Sequence, residues 1–216
     1  MKVILFGATG MVGQGVLREC LLDPEVTAVT AVMRSAPAPG TLEHAKLRVI
    51  VHPDFADFSS LKLDGEACFW CLGVTSSGMT EADYTRITYD YTMAAAKVLA
   101  RPTLTFIFVS GTGADGKAMW ARVKKRTEQA LFELPFKAVY VFRPGMIQAL
   151  HGIKSRTRLY NVLYPILAPV IWTAKLVTPK HVTTTERVGQ AMLRIAKSGY
   201  AKNILENPDI NTASGI

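Results

Sequence analysis

The sequence predicts an α/β protein built on a doubly wound parallel sheet. Short apolar, β-branched runs alternate with segments of helical period along most of the chain. The first such run passes straight into a glycine-rich turn, Gly7–Gly13, and then into an amphipathic helix. The 216 residues, 49% apolar and 19% charged, suffice for one core and are short for two. A single domain over 1–216 is expected, with residues 150–183 as a small C-terminal lid on the substrate side.

Val3–Phe6 is an apolar run ending in glycine, the first strand. Met11–Leu22 carries apolar residues at 12, 16, 17, 20 and 21, a helical stripe. Thr27–Met33 is β-branched and apolar, the second strand, and the proline-bearing stretch Ser35–Gly40 is a loop. Leu47–Val51 and Ala67–Leu72 are strands three and four. Thr80–Ala100 is helical, Leu104–Val109 is strand five and Lys117–Leu134 a basic helix. Ala138–Phe142 is strand six; a helix at Thr184–Ala196 and a short strand at Asn203–Leu205 follow. The expected strand order is 3-2-1-4-5-6, with ligands at the carboxyl ends of the strands near the switch between one and four.

Net charge is +8, which favours an anionic partner. No helix-turn-helix, zinc-finger or aromatic RNA-binding signature accompanies it, so no nucleic-acid partner is expected. Three cysteines point to a reducing compartment, and Met1–Phe6 is too short for a signal segment; together they suggest a cytoplasmic location. Cys68 and Cys71 lie three apart on an apparent strand and so face opposite ways, against a redox pair. No metal site is expected. Leu159–Val177 is apolar but interrupted by Pro165 and Pro169. Packing as a lid is expected, with membrane-surface contact the less favoured alternative and a straight span disfavoured.

The loops after the strands carry the chemistry. In Gly7-Ala-Thr9-Gly10-Met11-Val12-Gly13, Gly7 allows the tight turn, Gly10 a close backbone approach to a pyrophosphate, and Gly13 close packing of helix on sheet. The amides opening the helix then receive phosphate oxygens. This is the Rossmann-type signature of a nicotinamide dinucleotide. Strand two ends in Met33-Arg34-Ser35, with arginine where an acidic residue would hold the ribose hydroxyls of NAD. A forked, permanent cation there favours NADP(H) over NAD(H). After strand three, Asp54 could bond the adenine amino group and Phe55 pack on the ring edge, or the two could form a plain turn. Leu72, Gly73 and Val74 would run under the cofactor ribose. Ser110 and Thr112 follow strand five, Trp120 and Lys124 share one face of the next helix, and Pro144, Gly145 and His151 follow strand six.

In GATGMVG, CLGVT, the helix with Tyr89-Asp-Tyr91, SGTGAD, the lysine-bearing helix, VFRPG and ILEN, the chain resembles the atypical short-chain dehydrogenase/reductases, specifically the Tat-interacting oxidoreductase-like branch. The resemblance covers nearly the whole chain. It implies NADP(H) binding and a Ser–Tyr–Lys site in which tyrosine exchanges a proton with a carbonyl substrate, lysine assists it and serine orients the carbonyl. Ser110 matches the serine, with Thr112 as an alternative, and Lys124 the lysine; Trp120 stands where the tyrosine would be. An indole N–H donates but has no usable acid/base range. His151, Tyr89, Tyr91, Tyr160 and Tyr164 are candidate replacements. The favoured function is an NADP(H)-dependent oxidoreductase on an undetermined small carbonyl compound. The alternatives are a silent NADP(H)-responsive binding protein, and a membrane-surface protein using Lys154, Arg156 and Arg158.

Overall fold

A computed structural model describes residues 1–38, 40–153 and 181–216. Among these, seven parallel strands form one sheet. They are β1 (Lys2–Phe6), β2 (Ala28–Met33), β3 (Leu47–Val51), β4 (Ala67–Trp70), β5 (Thr105–Val109), β6 (Ala138–Arg143) and β9 (Ile204–Glu206). Their spatial order is β3-β2-β1-β4-β5-β6-β9. This is the expected doubly wound order, extended by the C-terminal strand on the β6 edge. Phe6 lies level with Val32 and Trp70, Trp70 with Phe108, and Phe108 with Val141. The loops that leave these strands therefore emerge along one edge.

Alternation along each strand feeds two cores. On one face Val3, Leu5, Phe69, Ile107 and Phe142 pack with Val16, Leu17 and Cys20 of helix α1 (Met11–Leu22). Val188, Met192 and Ile195 of α5 (Thr185–Ser198) and Ile210 of α6 (Asn207–Ser214) complete that layer. On the other face Ile4, Phe6, Cys68, Trp70, Phe106 and Phe108 meet Met93, Ala96 and Leu99 of α3 (Tyr91–Leu99) and Leu131 of α4 (Met119–Phe132). Cys68 belongs to this second core, Cys71 borders the first, and both thiols are free. Gly15 and Gly189 bring α1 and α5 together: a Cβ on Gly15 would lie 2.6 Å from Thr185 Cβ, and one on Gly189 would lie 2.7 Å from Glu19 Cγ.

Several elements depart from expectation. Strand four ends at Trp70, because the chain beyond it bends against the glycine turn; Cys71 N–H still reaches Phe6 O at 3.0 Å. The single helix expected over 80–100 is α2 (Glu81–Thr85), a π-helical turn (Arg86–Asp90) and α3, with Thr80 as the N-cap. The wider turn rotates the helix beyond it. Tyr91 meets the Phe55 ring at 6.2 Å, while Tyr89 lies under Arg126 at 4.2 Å. A second, two-stranded parallel sheet, β7 (Met146–Gln148) with β8 (Val182–Thr184), and helix α6 were not anticipated. The expected lid segment Leu159–Val177 lies outside the described residues, as do Lys154, Arg156, Arg158, Tyr160, Tyr164 and Trp172. Among the described residues no helix is long and apolar enough to cross a membrane.

Candidate cofactor and active site

The glycine turn sits at the sheet's carboxyl edge between β1 and β4. Gly7 adopts φ +78°, and a Cβ there would lie 2.6 Å from the carbonyl carbon and oxygen of Cys71. Gly13 is equally constrained, since its Cβ would fall 2.0 Å from Gly7 O. Gly10 differs. Its backbone is ordinary extended chain (φ −81°, ψ 164°), and a Cβ would meet only Gly7 O, at 3.4 Å. The fold does not require glycine at position 10. Gly10 also caps α1 without a side-chain hydrogen bond, so among the described residues no side chain caps the amides of Met11, Val12 and Gly13. A glycine that the described backbone does not require, beside an uncapped helix N-terminus, suits a pyrophosphate coming close to the backbone.

From this turn a groove runs between the ends of β1 and β2, lined by Gly7, Thr9, Arg34, Ser35, Phe55 and Leu72. A neighbouring depression continues past Thr9, Ser35 and Pro37 to Thr41. Arg34 is exposed and makes no hydrogen bond or ion pair among the described residues, so its guanidinium is free for a ligand anion. Phe55 is 3% exposed and held edge-on to Phe6, yet it reaches the groove wall. Asp54 takes the turn alternative: its carboxylate accepts from Ala56 N–H at 2.9 Å. Gly73 and Val74 are exposed beyond Leu72, and a Cβ on Gly73 would meet nothing within 4 Å.

After β5 the chain is tied to β6. Ser110 N–H reaches Phe142 O at 2.7 Å, and Thr112 N–H reaches Pro144 O at 3.1 Å. The Ser110 hydroxyl donates to Glu128 in a very short contact. Glu128, on α4, is gripped by Arg143 at the end of β6, with Nη2 to Oε2 at 2.5 Å and Nε to Oε1 at 3.2 Å. The Arg143 and Glu128 side chains are 5% and 2% exposed. Arg143 also holds Asp115 at 2.5 Å and Glu206 of β9 at 3.2 Å. Hydrogen bonds from Arg143 and Lys125 keep the Asp115 carboxyl below the usual carboxylate range. Ser110 therefore has its proton committed, and it offers only lone pairs to a ligand. Thr112 is also engaged, donating to Arg143 O at 2.9 Å.

Trp120 and Lys124 share a face of α4 as their spacing implies. A Cβ on Gly113 would lie 3.5 Å from the Trp120 ring, so the indole rests on the loop after β5. Lys124 Nζ donates to Val109 O at 3.2 Å and lies 5.4 Å from the Phe108 ring centre. Loss of water around the ammonium pushes its pKa down to about 8, against the pull of the Glu128 carboxylate. Ser110 and Lys124 thus meet through the end of β5 and through Glu128. His151 does not join them. It occupies a left-handed turn (φ 56°) and faces Glu186 of α5 at 3.4 Å. Gly145 N–H is taken by Asn207 Oδ1 at 3.0 Å, and its Cβ would meet His181 O at 2.6 Å, so this glycine serves the fold. Glu128 was not expected from the sequence. The available signal was an arginine ending a buried strand, which demands a carboxylate, and Glu128 lies one turn beyond Lys124 on the neighbouring helix.

No protein-family model matches the chain. Among curated proteins it is 32% identical to "Protein fmp52, mitochondrial" of Emericella nidulans, over 68% of this chain and 66% of that protein. It is 28% identical to "Protein FMP52, mitochondrial" of Saccharomyces cerevisiae, over 67% and 65%. Against "Protein fmp52-2, mitochondrial" of Aspergillus oryzae it is 25% identical over 95% of this chain and 93% of that protein. The first two matches thus span just under two thirds of those relatives. These names overturn the cytoplasmic location expected from the sequence: the relatives are mitochondrial proteins, and a cysteine-poor core looks the same in any reducing compartment. Among solved structures, a short-chain dehydrogenase/reductase family oxidoreductase from Burkholderia thailandensis superposes with TM-score 0.71 at 15% identity, covering 98% of this chain and 92% of that one. The Bordetella bronchiseptica enzyme WbmF in complex with NAD+ gives TM-score 0.66 at 14% identity, over 98% and 76%. At such identities the likeness establishes the fold alone: a Rossmann-type, doubly wound parallel sheet.

Proposed function

We propose that the chain is an NADP(H)-dependent oxidoreductase of the atypical short-chain dehydrogenase/reductase type, in the Tat-interacting oxidoreductase-like branch, acting on a small carbonyl compound. One observation carries the cofactor half of this reading: Gly10, which no described contact requires, beside the uncapped start of α1 and a groove that leads to Arg34, unpaired among the described residues. The amides of Met11, Val12 and Gly13 would hold the pyrophosphate, Arg34 a 2′-phosphate, Phe55 and Leu72 the adenosine walls, and Lys124 the far ribose. The bound dinucleotide would supply hydride.

Cofactor choice is tested directly. Arg34→Ala is expected to weaken NADPH binding ten- to a hundredfold, about 1.5–3 kcal/mol for a charged hydrogen bond, with little change for NADH. Calorimetric titration with both cofactors reads it; equal loss for both would remove Arg34 from the phosphate. Trp120 supplies a second readout. Its indole lies on the loop after β5, so NADPH should quench tryptophan emission, and Trp120→Phe should remove most of that quenching. Quenching that survives the substitution would place the nicotinamide elsewhere.

A second reading, a silent NADP(H)-responsive binding protein, is favoured by the committed hydroxyls of Ser110 and Thr112 together with tryptophan at position 120. Turnover separates the two readings: a silent protein binds NADPH and never oxidises it.

A further inference from the structure

Chemistry on a carbonyl needs a proton as well as a hydride, and among the described residues few groups around the end of β5 can give one. The Ser110 hydroxyl donates its hydrogen bond to Glu128, and that of Thr112 to the Arg143 carbonyl. Trp120 offers only an indole N–H. On the helix segments packed beside α4, Tyr84 is buried and bonded to Thr88, Tyr89 lies under the Arg126 guanidinium, and Tyr91 packs against Phe55. Glu81 is paired with Arg122. His151 is turned to Glu186. Glu128 is held by Arg143 through two hydrogen bonds. Lys124 is different. Its ammonium carries three protons, Val109 O takes one, and the group sits at the carboxyl end of β5, one helical turn from Trp120 along α4.

We propose that Lys124 is itself the general acid of this site, delivering its proton straight to the substrate oxygen without a phenol between. This rests on the oxidoreductase reading above. As hydride from the reduced nicotinamide reaches the carbonyl carbon, the π pair moves to oxygen, and oxygen takes a proton from Nζ. The amine is left neutral and regains its proton from water, while the dinucleotide leaves oxidised. In the reverse direction the neutral amine takes the alcohol proton. The lowered ammonium pKa, about 8, suits both directions near neutrality. Loss of water lowers it, and Glu128 one turn along α4 favours the ammonium; Arg143 is hydrogen-bonded to that carboxylate. From β5, the Phe108 ring and the Val109 carbonyl lie against the ammonium.

Two measurements test this. The first needs no turnover: in protein carrying ¹³C-labelled lysine side chains, the Lys124 resonance, assigned by its loss in Lys124→Arg, is followed against pH. A midpoint near 8 is expected; a midpoint above 10 overturns the proposal. The second uses NADPH and phenanthrenequinone as the carbonyl probe. Wild-type kcat/KM should be level below pH 8 and fall tenfold per pH unit above it, because the acid form is lost. Lys124→Arg keeps a cation but does not titrate. It should hold NADPH within a few-fold of wild type, read by tryptophan quenching, while reduction falls 10²–10⁴-fold. Lys124→Met should lose both. Full turnover in Lys124→Arg, or a wild-type profile level to pH 10, overturns the role of Lys124 and leaves the oxidoreductase reading standing. NADPH binding with no turnover by the wild type overturns that reading and this role with it.

Discussion

Replacing Arg143 by methionine should cost the protein about 3–5 kcal/mol, because it leaves the Glu128 carboxylate buried without its cation. Glu128, at 2% exposure, cannot turn to water, and its remaining partner is the Ser110 hydroxyl. Glu128→Leu alone should cost a comparable amount, stranding the guanidinium, although Asp115 and Glu206 soften that loss from their exposed positions. The double variant should recover most of the deficit, since a buried ion pair replaced by apolar groups of similar volume is often neutral in stability. Urea unfolding monitored by circular dichroism decides it. Single variants that lose less than about 1 kcal/mol would mean that water reaches this pair after all. The double variant should also free the Ser110 hydroxyl proton, so any carbonyl turnover that serine limits as an acceptor-only group should rise.

Gly10→Val should remove at least a hundredfold of dinucleotide affinity, about 2.7 kcal/mol, while the melting temperature moves little. A Cβ at position 10 would meet only Gly7 O, at 3.4 Å, among the described residues, which leaves a bound ligand as the group it would obstruct. Gly13→Val should behave the opposite way. Its Cβ falls 2.0 Å from the Gly7 carbonyl, so the turn itself must move, and stability falls with binding. Calorimetric binding and thermal melts on the pair separate a ligand-driven glycine from a fold-driven one. Unchanged affinity in Gly10→Val would take the phosphate away from this turn.

The sheet was legible because its signals are local. Alternation in Val3–Phe6 and Ala67–Trp70, and the stripe at Val16, Leu17 and Cys20, each report which side of the sheet they serve. The strands β7 and β8 were not legible, since three residues are too few to show a period of two. Helix α6 could have been found: Glu206 and Asp209 form a reciprocal cap around Asn207-Pro208, a start signal that needs no periodicity. The glycine turn and Arg34 were legible because backbone geometry and an unpaired cation are readable one residue at a time. The Ser110–Glu128–Arg143 linkage was not. Its members are 15 and 18 residues apart on different elements, and only the packing of α4 against β6 shows that the serine proton is spent. Compartment left no mark on any of these residues.

The packing of α1 against α5 has a consequence for how the molecule is made. The helix that opens on the glycine turn leaves the ribosome well before the surface it packs against. Glu19 on α1 and its hydrogen-bond partner Gln190 on α5 are separated by 171 residues, and the Asp23–Lys197 contact by 174. Until the later helix emerges, Val16, Leu17 and Cys20 have one core face uncovered. A nascent chain in that state holds its glycine turn without the layer that keeps the turn's helix in place. Closure over so long a sequence separation slows folding, and a partly made chain with an uncovered core face is prone to aggregate.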